Sequence, residues 1–169
     1  MSLRTALFLL ALAAVAAGFG GQLGVLGEGG EIPAGEGALV ERVVDGDTIK
    51  VRLEGRTETV RYIGVDTPET KKPNTPVQCY GKNASQENER LVEGERVELA
   101  PGVEPRDRYG RMLAYVRRER DGLFVNEALL RGGFATTLTI APNDRYAPRF
   151  AALEAGARAS RKGLWGVCR

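Results

Sequence analysis

Residues 39–65, LVERVVDGDTIKVRLEGRTETVRYIGV, decide the fold. Apolar and polar residues alternate through 39–44, 48–53 and 57–65, which is typical of strands with one buried face. Asp45-Gly46-Asp47 is a tight connection between the first two strands, and Gly55-Arg56 is a two-residue turn before the third. The sequence therefore predicts a three-stranded meander at the start of the domain.

Further elements follow this meander. Residues 66–78 contain three prolines and are predicted to form a long polar loop, of the kind that often carries function. Two strands, at 95–99 and 111–118, are predicted on either side of a loop at 101–110. Helices are predicted at 81–93, 124–131 and 147–162, each followed by glycine. Five strands and three helices indicate an α+β domain compatible with a small Greek-key barrel.

Composition excludes several kinds of chemistry. The 169 residues include no histidine and only two cysteines, so imidazole catalysis and four-thiolate metal sites are absent. The net charge is +2, and residues 39–169 carry +4, with 23 basic against 19 acidic residues. This mild excess suits a polyanionic partner without requiring one. Hydrolytic chemistry would have to use carboxylates, arginines, lysines, hydroxyls and a hard cation bound by oxygen.

The N-terminal segment predicts export. Arg4 precedes the apolar run 6–17, which ends in small residues, so residues 1–17 are predicted to be a signal peptide. Since no charge occurs between Thr5 and Gly27, an uncleaved membrane anchor is the alternative. Residues 18–38 form a Gly/Glu-rich flexible linker, and 39–169 the domain. The domain is expected outside the cell, secreted or anchored to the outer face of the cytoplasmic membrane.

Cysteine usage agrees with export. Cys79 and Cys168 are the only pair in a chain with a secretory start, so a disulfide between the loop before the first helix and the C-terminus is predicted. Two free thiols in a reducing compartment are the alternative.

Three polar clusters stand at strand ends or loop starts. They are Asp45-Gly46-Asp47-Thr48, then Arg61 with Asp66-Thr67-Pro68-Glu69, and Asp107-Arg108-Tyr109-Gly110-Arg111. Asp-Gly-Asp alone is an ordinary hairpin turn, but carboxylates at the ends of neighbouring strands can converge. Alternation places Arg61 on one face with Ile63 and Val65, where an arginine needs an anionic partner. A structural salt bridge is the alternative to a functional role.

Six motifs in order carry a family resemblance: DGDT, VRYIGVDTPET, YGKNAS, DRYGRMLAYV, VNEALLRGGFA and GLW. Over about residues 39–166 the chain resembles the staphylococcal (micrococcal) nuclease family. The resemblance implies an OB-fold barrel with three helices. It also implies a calcium-dependent endonuclease that acts on DNA and RNA with little sequence preference, leaving 3′-phosphate ends. We expect a monomer.

The resemblance further implies a metal site. Asp47 and Asp66 would be carboxylate ligands of Ca²⁺, the backbone carbonyl of Thr67 would be a third ligand, and Asp45 would lie behind them. Carboxylates, a carbonyl and waters suit a hard cation, so the absence of histidine is no obstacle.

Catalytic and substrate-binding residues are implied in the same way. Glu69 would be the general base, and Arg61 and Arg111 would bind the scissile phosphate, because guanidinium groups match phosphate oxygens two at a time. Arg108 and Tyr109 would contact a nucleotide phosphate beside the site.

The chain departs from the family pattern at one place, and two alternatives to the nuclease function stay open. Where the family often has two tyrosines before a Pro-Asn pair, this chain has Leu138, Thr139 and Ile140, so a platform for base stacking is lost or changed. A non-catalytic OB-fold module that binds nucleic acid or protein is one alternative function. A surface protein whose calcium site only stabilises the fold is another.

Overall fold

The computed structural model describes residues 35–70 and 76–168. Its elements, in chain order, are β1 (Glu36–Asp45), β2 (Thr48–Leu53), β3 (Arg56–Tyr62), β4 (Gly64–Asp66), α1 (Gly81–Val92), β5 (Arg96–Arg106), β6 (Met112–Arg118), α2 (Val125–Gly132), β7 (Thr136–Leu138), α3 (Ala147–Ala159) and α4 (Leu164–Val167).

Five of the strands close into a barrel in the order β1-β2-β3-β6-β5. Neighbouring strands are antiparallel except for β3 and β6, which run parallel. β4 and β7 form a separate two-stranded sheet. The predicted α+β class, with a five-stranded barrel and three helices, is confirmed, and α4 adds a single turn.

Apolar and polar residues alternate along the barrel strands, and the apolar side chains fill the barrel interior. The side chains of β2 that point inward belong to Ile49, Val51 and Leu53, and all three are buried. Thr48 and Arg61 are directly opposite each other on β2 and β3, on the outer face. The hydrophobic interior therefore fixes the register that presents polar side chains at one end of these strands.

The domain begins earlier than the sequence predicts. β1 starts at Glu36, inside the predicted linker 18–38, because residues 36–39 pair with β5. Ala38 in this stretch is buried. A Cβ on Gly37 would lie 2.9 Å from Glu119 Oε1, the end of a flexible side chain that can move, so strand pairing rather than steric need places this glycine in the domain.

Two turns also differ from the prediction. Leu53 pairs with Arg56, so the turn is Glu54-Gly55 rather than Gly55-Arg56. Both turn residues have positive φ, 47° and 79°, the geometry of a tight hairpin turn. β5 continues to Arg106 through an irregularity after Pro101, so the predicted loop 101–110 is mostly strand.

The predicted third strand, 57–65, is broken in two. Gly64 has φ +78°, and a Cβ there would lie 2.5 Å from the Phe150 ring. The chain therefore turns after β3, and β4 leaves the barrel to pair with β7. The predicted simple alternation of Arg61, Ile63 and Val65 is wrong: Ile63 and Val65 are buried, while Arg61 points to the outside of the barrel.

The helices agree closely with the sequence. α1 ends at Val92 before Gly94, and α2 is capped by Gly133 with φ 73°. Asn126 of α2 is fully buried; its Oδ1 accepts from Val116 N at 3.0 Å, and its Nδ2 donates to Ile63 O at 2.8 Å. This one amide attaches α2 to the end of β3 and to β6.

No helix within the described ranges is long and apolar enough to cross a membrane. The predicted leader or anchor, residues 1–17, lies outside those ranges, as does most of the predicted linker.

Asn126→Ala is expected to lower the free energy of unfolding by about 2–4 kcal/mol, because it leaves a buried N–H and a buried C=O unpaired. Urea denaturation followed by circular dichroism measures this. Asn83→Ala, at an exposed position of α1, is the matched control and should change stability by less than about 0.5 kcal/mol. Equal unfolding midpoints for the two variants would contradict the structural role of Asn126.

Candidate active site

The hairpin between β1 and β2 supplies a buried carboxylate. Asp47 is only 5% exposed. Its Oδ2 accepts from Thr67 N at 2.7 Å and from Thr67 Oγ1 at 2.8 Å, and its Oδ1 accepts from Thr48 Oγ1 at 3.1 Å. These three donors fix the orientation of the Asp47 carboxylate. Gly46 permits the approach, since a Cβ there would lie 2.6 Å from Thr67 Oγ1.

Arg61, at the end of β3, faces two of the carboxylates. Its Nε lies 3.2 Å from Asp47 Oδ1, and its Nη2 donates to Asp66 Oδ1 at 2.9 Å. Its Nη1 donates to the carbonyls of Tyr62, at 3.0 Å, and Val65, at 2.7 Å. The turn at Gly64 brings both carbonyls within reach. Nη1 therefore fixes the guanidinium plane, and the Nε–Nη2 edge points at the acidic residues.

The end of β4 and the loop that follows it carry the other two acidic residues of the site, Asp66 and Glu69. Burial raises the pKa of Asp66; Arg61 opposes this effect, and the charges of Asp47 and Glu69 add to it. Glu69 is half-buried, and its backbone N–H donates to Gln78 Oε1 at 2.8 Å. The backbone N–H of Thr67 donates to Asp47; the role predicted for the Thr67 carbonyl stays a prediction.

Two residues that the sequence reasoning missed support Asp45. Asn88 of α1 is fully buried, and its Nδ2 donates to Asp45 O at 2.9 Å. The Tyr62 hydroxyl in turn donates to Asn88 Oδ1 at 2.9 Å. Burial and the neighbouring charge of Asp47 raise the pKa of Asp45 to about 6. An asparagine on the buried face of a predicted helix was the available signal.

The polar side chains meet in one cavity of about 220 Å³. Its lining residues are Asp45, Asp47, Thr48, Arg61, Asp66, Thr67, Pro68, Glu69 and Arg111. All seven residues that the sequence assigned to metal binding and catalysis are among them. Four carboxylates facing two guanidinium groups give this cavity an excess of negative charge.

Arg111 reaches the cavity from the start of β6. Its Nε donates to Asp107 Oδ2 at 2.6 Å, and the Asp107 carboxylate also accepts from the backbone N–H groups of Tyr109 and Arg111. Partial burial alone would raise the pKa of Asp107, but these hydrogen bonds outweigh it and lower the pKa. Asp107 thus stays ionised and holds Arg111 at the cavity.

A second cavity, of about 410 Å³, adjoins the first and shares Arg61 and Arg111 with it. Arg108 and Tyr109 line this cavity rather than the acidic one, and the Arg108 guanidinium lies 4.8 Å from the centre of the Tyr109 ring. Leu138 and Ile140, at the positions of the sequence departure, line it too and are 40% and 61% exposed. This part of the cavity wall is therefore aliphatic, at positions where the resemblance implies aromatic rings.

As the side chains stand, no group of three or more Asp, Glu, His or Cys residues in 35–70 and 76–168 is arranged to hold a metal ion. Arg61 lies between Asp47 and Asp66 and forms an ion pair with each of them. The donor set fits a hard cation by chemistry, since it consists of oxygen ligands only. A cation held by Asp47 and Asp66 would therefore compete with Arg61 for these two carboxylates.

The predicted disulfide is present. Cys79 and Cys168 are bonded, with their Cα atoms 5.8 Å apart, and there are no free cysteines. The bond joins the segment before α1 to the end of α4.

The closed five-stranded barrel, in the strand order β1-β2-β3-β6-β5, places the chain in the class of OB-fold proteins. A family model described as "Staphylococcal nuclease homologue" matches residues 59–167. The chain belongs to the staphylococcal nuclease family.

Named relatives agree with this. A thermonuclease of Staphylococcus intermedius is 52% identical over 112 residues, which cover 66% of each chain. Endonuclease YncB of Bacillus subtilis (strain 168) is 44% identical over 128 residues, 75% of this chain and 60% of YncB. The SPbeta prophage-derived endonuclease YokF of the same strain is also 44% identical, over 43% of its length. The chain spans less than two thirds of the length of these relatives.

Asp45→Asn is expected to stabilise the metal-free protein at pH 8 by about 1–3 kcal/mol. The raised pKa means that the folded state binds the Asp45 proton more tightly than the unfolded state, so stability falls as pH rises from about 4 to about 6 and stays lower above. Asparagine removes this charge and keeps the acceptor for Asp47 N.

Urea unfolding in chelator at pH 8 and pH 4 measures the difference, which should vanish at pH 4. Asp144→Asn, at an exposed position, is the control. If Asp45→Asn gave no gain over the parent at pH 8, the electrostatic account of Asp45 would be wrong.

Proposed function

We propose that this chain is a calcium-dependent nuclease that hydrolyses phosphodiester bonds of DNA and RNA with little sequence preference and leaves 3′-phosphate ends. The observation that carries the proposal is that Arg61, Arg111 and Glu69 line the same small cavity as Asp47 and Asp66. The relatives named thermonuclease and endonuclease support the reaction class.

The proposed calcium ligands are Asp47 and Asp66, with the Thr67 carbonyl, while Asp45 adds negative charge behind them. When bound, calcium supplies neutralisation of charge on the phosphate and polarises nearby water. The raised pKa values of Asp45 and Asp66 support a cation at this place, because they reflect carboxylates that repel one another or are buried without full compensation. Asp47 already has fixed geometry through Thr48 and Thr67.

Arg61 is proposed to bind the scissile phosphate through its Nε–Nη2 edge. Of the five N–H donors of a guanidinium group, both on Nη1 are used by backbone carbonyls. The Nε–Nη2 edge forms ion pairs with Asp47 and Asp66, the two carboxylates proposed to bind calcium. It would then donate to two phosphate oxygens while Nη1 keeps the guanidinium plane in place.

Glu69 is proposed to take a proton from the attacking water, and Arg111 to stabilise the charge that develops on the phosphate oxygens. Water adds to phosphorus, the bond to the 5′-oxygen breaks, and that oxygen leaves as a hydroxyl after it gains a proton. The phosphate remains on the 3′-oxygen. Asp107 keeps Arg111 aimed at the cavity throughout.

The adjoining larger cavity is proposed to hold the nucleotide next to the scissile phosphate, with Arg108 and Tyr109 as contacts. Leu138 and Ile140 offer apolar contact without the stacking of aromatic rings. Stacking on an aromatic ring is worth about 1–3 kcal/mol per base. Because these aliphatic side chains cannot stack on a base, we expect a low base preference and a KM higher than that of an enzyme with aromatic rings at these positions.

The proposed setting is extracellular. The predicted leader supports export, and the Cys79–Cys168 disulfide is typical of oxidising compartments. Anchoring to the outer face of the membrane through residues 1–17 stays an alternative. The enzyme is further proposed to act as a monomer.

Arg61→Lys is expected to keep the fold and to lower kcat by about 100-fold or more, because a single ammonium cannot replace the two donors of the Nε–Nη2 edge. Cleavage of heat-denatured DNA in calcium measures kcat, and circular dichroism measures folding. Arg56→Lys, on the same strand but outside the cavity, is the matched control and should be fully active. Near-normal turnover by Arg61→Lys would count against its phosphate role.

Chelation is expected to abolish cleavage by the full-length chain, and calcium to restore it. Glu69→Gln should lower the calcium-dependent rate by about 100-fold, the scale at which general bases contribute. This variant also controls for contaminating nuclease. Binding of DNA without cleavage in calcium would favour the non-catalytic module, and stabilisation by calcium alone would favour a purely structural site.

A further inference from the structure

Beside the acidic cavity, the two ends of segment 69–78 are bonded to each other. Glu69 N donates to Gln78 Oε1 at 2.8 Å, and Gln78 N donates to Glu69 O at 2.9 Å. The Glu69 carboxylate, which lines the cavity, accepts from Thr70 N at 2.9 Å. Both backbone groups of Glu69 are therefore hydrogen-bonded to Gln78, one to its side chain and one to its main chain.

Gln78 is in turn attached to the helical part of the domain. Its carbonyl accepts from Gly81 N at 3.0 Å, at the start of α1. Its neighbour Cys79 is bonded to Cys168, which follows α4. α4 is itself anchored, since Leu164 is buried and its N–H donates to Gly133 O at 2.9 Å. A covalent path thus runs from the end of α4 to Gln78.

Gln78 itself lies at the surface of the domain. Gln78 and Cys79 are both exposed, so water competes for the hydrogen bonds between Gln78 and Glu69. The residue after Cys79 is Tyr80, whose ring packs against the Phe134 ring with centroids 5.6 Å apart. The disulfide is therefore a covalent constraint on Gln78 that water does not weaken, and it acts in addition to the peptide chain that leads into α1.

We propose that the Cys79–Cys168 disulfide and Gln78 together position Glu69, so that reduction lowers turnover while the barrel stays folded. The inference rests on the proposed function, since it needs Glu69 to act on the attacking water. Reduction by an external dithiol breaks one S–S bond, gives two cysteine thiols and converts the dithiol to its own disulfide. The exposed position of Cys79 makes the bond accessible to such a reagent.

The test is a double-mutant cycle on the full-length chain in calcium, with heat-denatured DNA as substrate. Cys79→Ala/Cys168→Ala is made with Glu69 present and with Glu69→Gln. Removing the disulfide should lower kcat about five- to tenfold when Glu69 is present, with KM within about twofold, and less than about twofold in the Glu69→Gln protein.

A purely structural disulfide would lower both rates by the same factor, and that result would overturn the inference, as would no loss at all. Assays run at a temperature where circular dichroism shows all four proteins folded. Dithiothreitol should lower kcat of the parent and leave the cysteine-free protein unchanged.

Gln78 variants test the same positioning with the disulfide intact. Gln78→Met keeps the length of the side chain and removes the acceptor for Glu69 N, so kcat should fall about fivefold or more. Gln78→Glu keeps an acceptor oxygen and should retain at least half of kcat. Equal effects of the two substitutions would overturn the role of the Gln78 side chain.

The failures can be distinguished. If the parent chain cleaves nothing in calcium, the proposed function fails, and this inference fails with it. If the parent cleaves DNA, Glu69→Gln is impaired and the disulfide-free protein is as active as the parent, only the positioning inference is wrong.

Discussion

The two carboxylates that Arg61 contacts come from different parts of the fold, and the Arg61 ion pairs bring them together. Asp47 belongs to the first hairpin of the barrel, and Asp66 ends β4, which pairs outside the barrel. A mostly buried guanidinium requires anionic partners and saturated donors. The carbonyls of Tyr62 and Val65 complete the set only because the chain turns at Gly64. The cavity depends on that turn as much as on its charged residues.

The four carboxylates of the acidic cavity are only partly balanced by its two arginines. Asp47 is well supplied with donors, whereas the pKa of Asp45 is raised to about 6 by burial and by Asp47. Arg111 is engaged by Asp107 and offsets little of this repulsion. An added divalent cation would relieve the acidic excess and release the Nε–Nη2 edge of Arg61. A phosphate group would then occupy that edge, so the two ligands support each other in this account.

Much of this arrangement could be predicted from sequence, because alternation and turn residues encode the barrel. The limits of β2, α1 and α2 follow from local signals such as Gly94 and Gly133. The break at Gly64 could not be predicted, since it depends on the distant Phe150 ring, and neither could β1 at Glu36, whose partners lie in β5.

The motifs shared with the family identify most of the residues that line the acidic cavity. They do not indicate which of these residues contact one another. The link from Tyr62 through Asn88 to Asp45, and the bonds between Gln78 and Glu69, join residues whose proximity only the folded chain creates. The sequence offers a salt bridge of Arg61 only as the structural alternative and does not identify Asp47 as the partner, although this ion pair helps to determine which edge of the guanidinium is presented. Sequence identifies the chemical groups here, and the tertiary fold determines their orientation.

The central claim is that calcium and phosphate compete with, and together replace, the ion pairs of Arg61. Isothermal titration of calcium into the full-length chain, with and without a dinucleotide carrying a hydrolysis-resistant phosphorothioate linkage, tests it most directly. The account predicts calcium affinity at least about fivefold higher with the dinucleotide present, a coupling that Arg61→Lys abolishes. Equal calcium affinity in both titrations would contradict it.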